Sequence, residues 1–322
     1  MINGVGVGGS WGWAVWGWVL GDDRDVADVS GLLRVGSGVD LGAIDPAGTP
    51  GLPDRKGVRR DPKGWARAEL VTLGQELARQ QEMLFANAKV NPADQRRVLL
   101  VLQAMDCGGK DGTVKKVAGT MNPEGLRITA FGPPTAEERQ HDFLWRIRRA
   151  LPLPGYLGIF NRSHYEDVLV VRVRRLAPPR VWKPRYEKIN SFERELVDSG
   201  FSLVKMMLHI SYEEQRRRLL ERLRDPTKYW KYNPDDVDNR AYWPAYQQAY
   251  QDVIQRCGTD HAPWHVVPAD RKWYRDWAVA HLILDALKRL DLSYPPADFD
   301  PRVETKRLER EETGSTAKVN GR

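Results

Sequence analysis

The spacing of apolar residues changes period repeatedly along the chain, and each change marks an element. Over 62–87, Leu70, Leu73, Leu77, Leu84 and Phe85 share one helical face, with charged residues between them. Asn91-Pro92 ends that helix, and a strand follows at 97–103 with a continuous apolar run at 98–102, the pattern of a strand covered on both faces. A helix from about 110 to 119, a strand at 126–131 and a helix opened by the capping box Thr135-Ala136-Glu137-Glu138 follow. Pro152 and Pro154 stop the last of these; 156–160 is a short strand and a helix runs on to about 176. The remainder reads as helix 185–199, strand 202–210, a helix launched by the capping box Ser211-Tyr212-Glu213-Glu214, helix 239–257, strand 264–267 and helix 271–290. Strands alternating with helices at this spacing predict an α/β fold with a parallel sheet covered on both faces.

Length and composition narrow this picture. With 322 residues, 41% hydrophobic and 29% charged, the chain suits one large α/β domain with extensions. The formal net charge of +7 favours anionic partners, namely nucleic acid, an acidic membrane or a polyphosphorylated substrate, without choosing among them. Two cysteines, Cys107 and Cys257, are too few for a disulfide framework and suit a reducing cytoplasm. No stretch is apolar for long enough to span a bilayer. The Gly- and Trp-rich start lacks the basic region of a secretory signal, so 1–30 reads as a disordered extension. Residues 31–95 then form an arm, extended with turns to 61, and a helix; 96–293 form the main domain; 294–322 read as a charged, disordered tail.

The candidate chemistry lies where strands end. The run at 97–103 delivers Ala104-Met105-Asp106-Cys107-Gly108-Gly109-Lys110-Asp111-Gly112-Thr113, a glycine-rich turn that opens a helix. Such a loop turns backbone N–H groups and a helix N-terminus toward an anion, and Lys110 adds a full charge. The usual pattern is G-x-x-x-x-G-K-[ST]; here Ala104 and Asp111 stand at its first and last positions. Two more clusters follow strand ends: Asn161-Arg162-Ser163-His164-Tyr165-Glu166, and a helix with five arginines in nine residues (216–224) leading to Lys228, Tyr229, Trp230 and Lys231. Ligands gather beyond the carboxyl ends of a parallel sheet, so the three should converge. Phosphoryl transfer needs positive charge, a metal and alignment. Asp106, Lys110 and Arg162 are therefore the catalytic candidates, with Asp106, and then Glu166 and Asn161, as candidate metal ligands. Gly108, Gly109, Lys110, Asp111, Gly112 and Thr113 would bind phosphate. Lys115, Lys116, Arg174, Arg175 and Arg180, if gathered beside the loop, would extend it into a groove for a long polyanion. Arg218, Arg222, Lys228, Trp230 and Lys231 would form a mobile lid that binds the nucleotide.

These residues resemble a known family. Gln103 to Thr113, the run Phe160-Asn161-Arg162-Ser163-His164-Tyr165-Glu166-Asp167-Val168-Leu169, and Leu208-His209-Ile210-Ser211 with Asp225-Pro226-Thr227-Lys228-Tyr229-Trp230-Lys231 are similar to the polyphosphate kinase 2 family, over roughly residues 31–293. The resemblance implies a three-layer P-loop kinase fold of the thymidylate-kinase type with a helical lid at about 212–237. It implies transfer of the terminal phosphate of inorganic polyphosphate to AMP or ADP, reversibly through ATP, with Mg²⁺ or Mn²⁺ as cofactor. It also implies a cytoplasmic homo-oligomer, dimer or tetramer, with no membrane or nucleic-acid partner. In relatives the position of Asn161 can be an aspartate, so the resemblance leaves the metal arrangement open here. An ATP-dependent nucleotide or nucleoside kinase, and a non-catalytic binder of polyanions or nucleic acid, are the competing expectations.

Overall fold

The computed structural model describes residues 27–319, with side chains described as far as 311. Six strands form one sheet: β1 (Arg34–Val35), β2 (Arg97–Ala104), β3 (Leu126–Ala130), β4 (Leu157–Asn161), β5 (Phe201–His209) and β6 (Trp264–Pro268). Their order is β1-β6-β5-β2-β4-β3, parallel throughout except for β1, which pairs antiparallel with β6. Seven of the eight residues of β2 are buried, because both its faces and both its edges are covered. At the open edge, β3 leaves Ile128 half exposed and carries Arg127 and Thr129 between its apolar residues.

Thirteen helices lie among the described residues. The first five are α1 (Val29–Leu33), α2 (Lys56–Arg60), α3 (Pro62–Val90), α4 (Lys110–Val117) and α5 (Trp145–Ala150). Then come α6 (Glu166–Val173), α7 (Pro179–Trp182), α8 (Arg185–Asp198) and α9 (Tyr212–Arg224). The last four are α10 (Asp235–Arg240), α11 (Trp243–Cys257), α12 (Lys272–Lys288) and α13 (Pro301–Val319). The long helix α3 starts where the Asp61 carboxylate accepts from the Gly64 N–H and Pro62 occupies the first turn. It packs along α12, which also meets α1 and α4; α6, α7, α8 and α11 form a separate group. Two helical layers therefore sandwich the sheet, giving the expected three-layer α/β/α arrangement, with β2 and β5 at the centre of the core.

Several sequence expectations change. The expectation for residues 1–26 lies outside the described residues, but Val29 is buried and α1 packs on α12, so the folded part begins before residue 31. The arm at 31–61 carries α2 and a short turn of helix at Leu41–Ala43 besides its extended stretches. The capping box at Thr135 and Glu138 forms reciprocally, at 2.8 and 3.2 Å, but it closes a single helical turn, Glu138–Gln140, and α5 starts only at Trp145. The helix expected at 239–257 is two, α10 and α11. The charged tail, expected to be without structure, contains α13, whose described side chains are almost all exposed. Its Arg, Glu and Lys residues favour helix by intrinsic propensity, whereas low apolar content decides only whether a helix finds something to pack on.

Candidate active site

The loop between β2 and α4 is shaped by contacts that leave little room for other residues. Cys107 and Gly109 have positive φ, 63° and 103°, turning the backbone so that α4 points its N-terminus over the end of β2. A Cβ on Gly108 would come within 2.4 Å of the Ala104 Cβ, and one on Gly109 within 1.8 Å of Arg275 Nη1, so both positions require glycine. Ala104, the departure at the first motif position, is thus the residue against which the loop closes. Lys110 opens α4 and is buried; its ammonium donates to the Ala104 carbonyl at 3.0 Å. Burial, reinforced by the nearby Arg162 charge, pushes the Lys110 pKa down. Thr113 is also buried, and its hydroxyl has no partner.

Two bridges tie this loop to the end of β4. Arg162 donates to Asp106 Oδ1 at 3.0 Å, and the Asn161 amide donates to Asp111 Oδ1 at 2.7 Å. Where the familiar pattern puts a carboxylate on the strand and a hydroxyl on the helix, this chain has the carboxylate on the helix and an amide on the strand. The two departures form one contact. Burial works against the Arg162 charge, yet Glu166 and Asp106 hold its pKa above the usual value. Glu166 lines the neighbouring pocket rather than the cavity that Asp106 lines. The Gln103 amide, oriented to satisfy both of its ends, donates to Glu166 at 2.9 Å and accepts from Ser163, and burial raises the Glu166 pKa. Among the described residues, no three His, Cys, Asp or Glu gather as a metal site.

The arginine-rich segment folds back over the loop. A cavity of about 630 Å³ is lined by Asp106–Gly112, Asn161 and Arg162 on one side and by Arg218, Arg222, Lys228, Trp230 and Lys231 on the other. The three sequence clusters therefore meet. Their roles differ, however. Arg218 is buried, and its guanidinium donates to Glu214, to the Cys107 carbonyl at 2.9 Å and to the carbonyls of Ala269 and Asp270. It braces the loop instead of projecting toward a nucleotide. Arg222 binds the Lys231 carbonyl and Asp236. Trp230 is 78% exposed, with the Lys231 ammonium 4.8 Å from its ring centre. From the same side, Gln215 and Asn239 reach Asp106, at its carbonyl and its Oδ2 respectively.

The expected basic groove takes a different course. Thr113, Lys115, Arg174, Arg175 and Arg180 do not line this cavity. Arg174 instead sits over the Tyr242 ring. Lys116 lines a groove of about 790 Å³ between α3, α4 and α12, together with Arg67, Lys272 and Arg275. Gly112, Lys272 and Arg275 belong to both spaces, so the groove continues the cavity. Arg275 points two nitrogens at Asp276 and its third at the loop.

On the other side of Arg162 opens a second pocket of about 470 Å³, lined by Phe131, Arg139, His141, Phe143, Arg146 and Arg185 among others. Arg146 lies 5.5 Å from the Phe131 ring centre and Arg185 4.9 Å from that of Phe143, while Asp167 binds Arg185 at 3.0 Å. Aromatic faces beside guanidinium groups suit a base with phosphates attached. The rule that brought the other clusters together also applies to the segment after β3, and it was the available signal for these residues.

Comparison with known proteins identifies a family. The family described as Polyphosphate kinase 2 matches residues 68–294. The AMP/ADP-polyphosphate phosphotransferase of Meiothermus ruber is 46% identical over 243 residues, 76% of this chain and 89% of that protein. The ADP-polyphosphate phosphotransferase of Rhodopseudomonas palustris is 39% identical over 238 residues, 70% and 80% of the two chains. The crystal structure of polyphosphate kinase 2 from Arthrobacter aurescens TC1 superposes with a TM-score of 0.83 at 45% identity, covering 88% of this chain and 98% of that one.

Proposed function

The chain belongs to the polyphosphate kinase 2 family, and from that premise we propose that it transfers the terminal phosphate of inorganic polyphosphate to AMP and ADP, and in reverse extends polyphosphate from ATP. One observation carries the assignment of parts: Arg162 stands between the loop cavity and the aromatic-basic pocket and lines both. The phosphoryl group passes between two substrates, so a cation common to both spaces is placed to follow it across. The acceptor nucleotide then occupies the pocket of Phe131, Phe143, Arg146 and Arg185. The donor's terminal phosphates lie on Gly108–Gly112 and Lys110, and the rest of the polyphosphate runs past Gly112 and Arg275 into the groove of Lys116 and Arg67. A donor with about one charge per phosphate requires such a groove, and its binding should weaken with salt. The segment from α9 to α10 serves as the lid, with Lys228, Trp230 and Lys231 as its mobile groups.

A hard divalent cation, Mg²⁺ or Mn²⁺, fits this donor set. Asp106 and Asp111 supply carboxylates at the mouth of the loop, and substrate phosphates and water complete six oxygen ligands. When bound, the cation neutralises charge on the transferring phosphoryl group. Asn161 contributes by holding Asp111, and Glu166 by its charge beside Arg162. No described helix is long and apolar enough to cross a membrane, and we place the protein in the cytoplasm as a homo-oligomer. The test is to mix protein, Mg²⁺, AMP and long-chain polyphosphate without ATP and to follow ADP and ATP. Nucleotide product supports the assignment over an ATP-dependent kinase or a polyanion binder; no product with any nucleotide acceptor overturns it.

A further inference from the structure

Arg162 has φ of 64°, an uncommon conformation for a residue with a side chain, so the turn that carries it must be held by its surroundings. Its own N–H donates to the Leu102 carbonyl at 3.0 Å. The next three residues, Ser163, His164 and Tyr165, are at most 1% exposed. Beneath them lies a polar cluster inside the core. Glu193 Oε1 accepts from the Tyr165 hydroxyl at 2.7 Å and lies 3.2 Å from His164 Nε2. Glu193 Oε2 accepts from the Lys205 ammonium at 2.6 Å. Lys205 also donates to the Tyr165 hydroxyl at 3.0 Å and to the Cys257 carbonyl at 2.6 Å, so all three of its protons are engaged.

The cluster has no part in binding substrate. Lys205 sits in the middle of β5, paired with Val101, and neither it nor Glu193 lines the two pockets at the site. Burial opposes the Glu193 charge, yet Lys205 and His164 keep its pKa below the usual range. A buried ion pair is a poor way to obtain stability, because desolvation offsets much of the attraction and apolar residues of similar volume often do better. Direction is what it supplies: Glu193 and Lys205 together fix the Tyr165 hydroxyl from two sides, and Glu193 also meets His164 Nε2.

We propose that Glu193, Lys205 and Tyr165 are positioning residues for Arg162, setting the turn from below so that its guanidinium meets Asp106 and the transferring phosphoryl group. This rests on the role given to Arg162 above. Tyr165→Phe tests it, since the change removes the shared hydroxyl and leaves the charge pair in place. The expected result in polyphosphate-driven phosphorylation of ADP is a fall in kcat on the order of tenfold with KM for both substrates nearly unchanged. In an Arg162→Lys background, where the guanidinium is already gone, the same change should lower kcat less than about twofold. Three results would overturn the proposal: an unchanged kcat, a lower melting temperature alone, or the same fractional loss in both backgrounds. If Tyr165→Phe fails to fold, Glu193→Gln is measured in the same two backgrounds and judged by the same outcomes. Transfer by the wild type is scored first, so that failure of the polyphosphate assignment is distinguished from failure of the positioning role.

Discussion

The floor of the site and its cover are both built from cations, but they use them in opposite ways. On the floor, Lys110 and Arg218 are buried, and their donors already bind protein carbonyls or carboxylates. In the cover, Trp230 and its neighbours stand in solvent around a cavity they only partly close. Floor groups are oriented before substrate arrives, so their contribution goes into the reaction step. Cover groups must be ordered by the substrate, and part of their binding energy offsets that loss of freedom. Charge density in sequence therefore does not measure catalytic weight: the segment richest in arginine leads from buried, bracing residues to exposed ones.

The strongest way to break this contrast is Lys110→Ala. Transfer should fall by about 10³-fold or more, with a circular dichroism spectrum and melting curve like the wild type's; retained activity would remove the loop from the reaction. Next is Arg218→Ala. It should cost about 3 kcal/mol, read from denaturant titration, because the Cys107, Ala269 and Asp270 carbonyls and Glu214 lose their partner together, and activity should fall with the loop it braces. Trp230→Ala, in the cover, should leave the melting temperature unchanged and raise KM for the nucleotide by about tenfold with kcat little altered. If both variants changed stability and KM alike, floor and cover would not differ. Arg67→Glu sharpens the comparison along the groove. Its KM should rise several-fold for long-chain polyphosphate, by about one neutralised contact, and hardly at all for a donor too short to leave the cavity. The smallest expected effect concerns pH. Burial raises the Glu166 pKa in the folded protein. Its ionisation therefore withdraws stability as pH rises from near the ordinary carboxylate value through the raised one. Glu166→Gln should match wild type in acid and become relatively more stable across that window in melting curves taken from acidic to neutral pH.

Much of the fold could be read from the sequence because β2, β5 and β6 are apolar on both faces and the loop after β2 carries its own glycine and lysine signature. What escaped lay where the local signal was weak or absent. β1 has only two residues, too short to show a period. Phe131, Phe143 and Arg146 follow the edge strand β3, whose end was read correctly, but no glycine or lysine signature there marks the segment as part of a site. Arg275 sits within α12 with nothing in the neighbouring sequence to mark it, and only the close approach of Gly109 reveals its role. Arg218 and Arg222 looked like equivalent binding groups because sequence records a charge but not whether the fold has already satisfied it. The bridge between Asn161 and Asp111 is a similar case, since two departures from a motif counted as separate losses until they proved to be one contact.

The thiol of Cys107 sits in the tightest bend of the phosphate-binding loop, at a residue whose backbone has little freedom to move. Burial pushes its pKa up to about 11. At neutral pH only about one such thiol in ten thousand is the reactive thiolate. Alkylating reagents and mild peroxide should pass over it, and the purified enzyme should keep its activity on storage in air without added reductant. A loop that carries a cysteine close to its buried lysine is thus chemically quiet because it is tightly folded, and resistance to thiol reagents offers a direct measure of whether that bend stays closed.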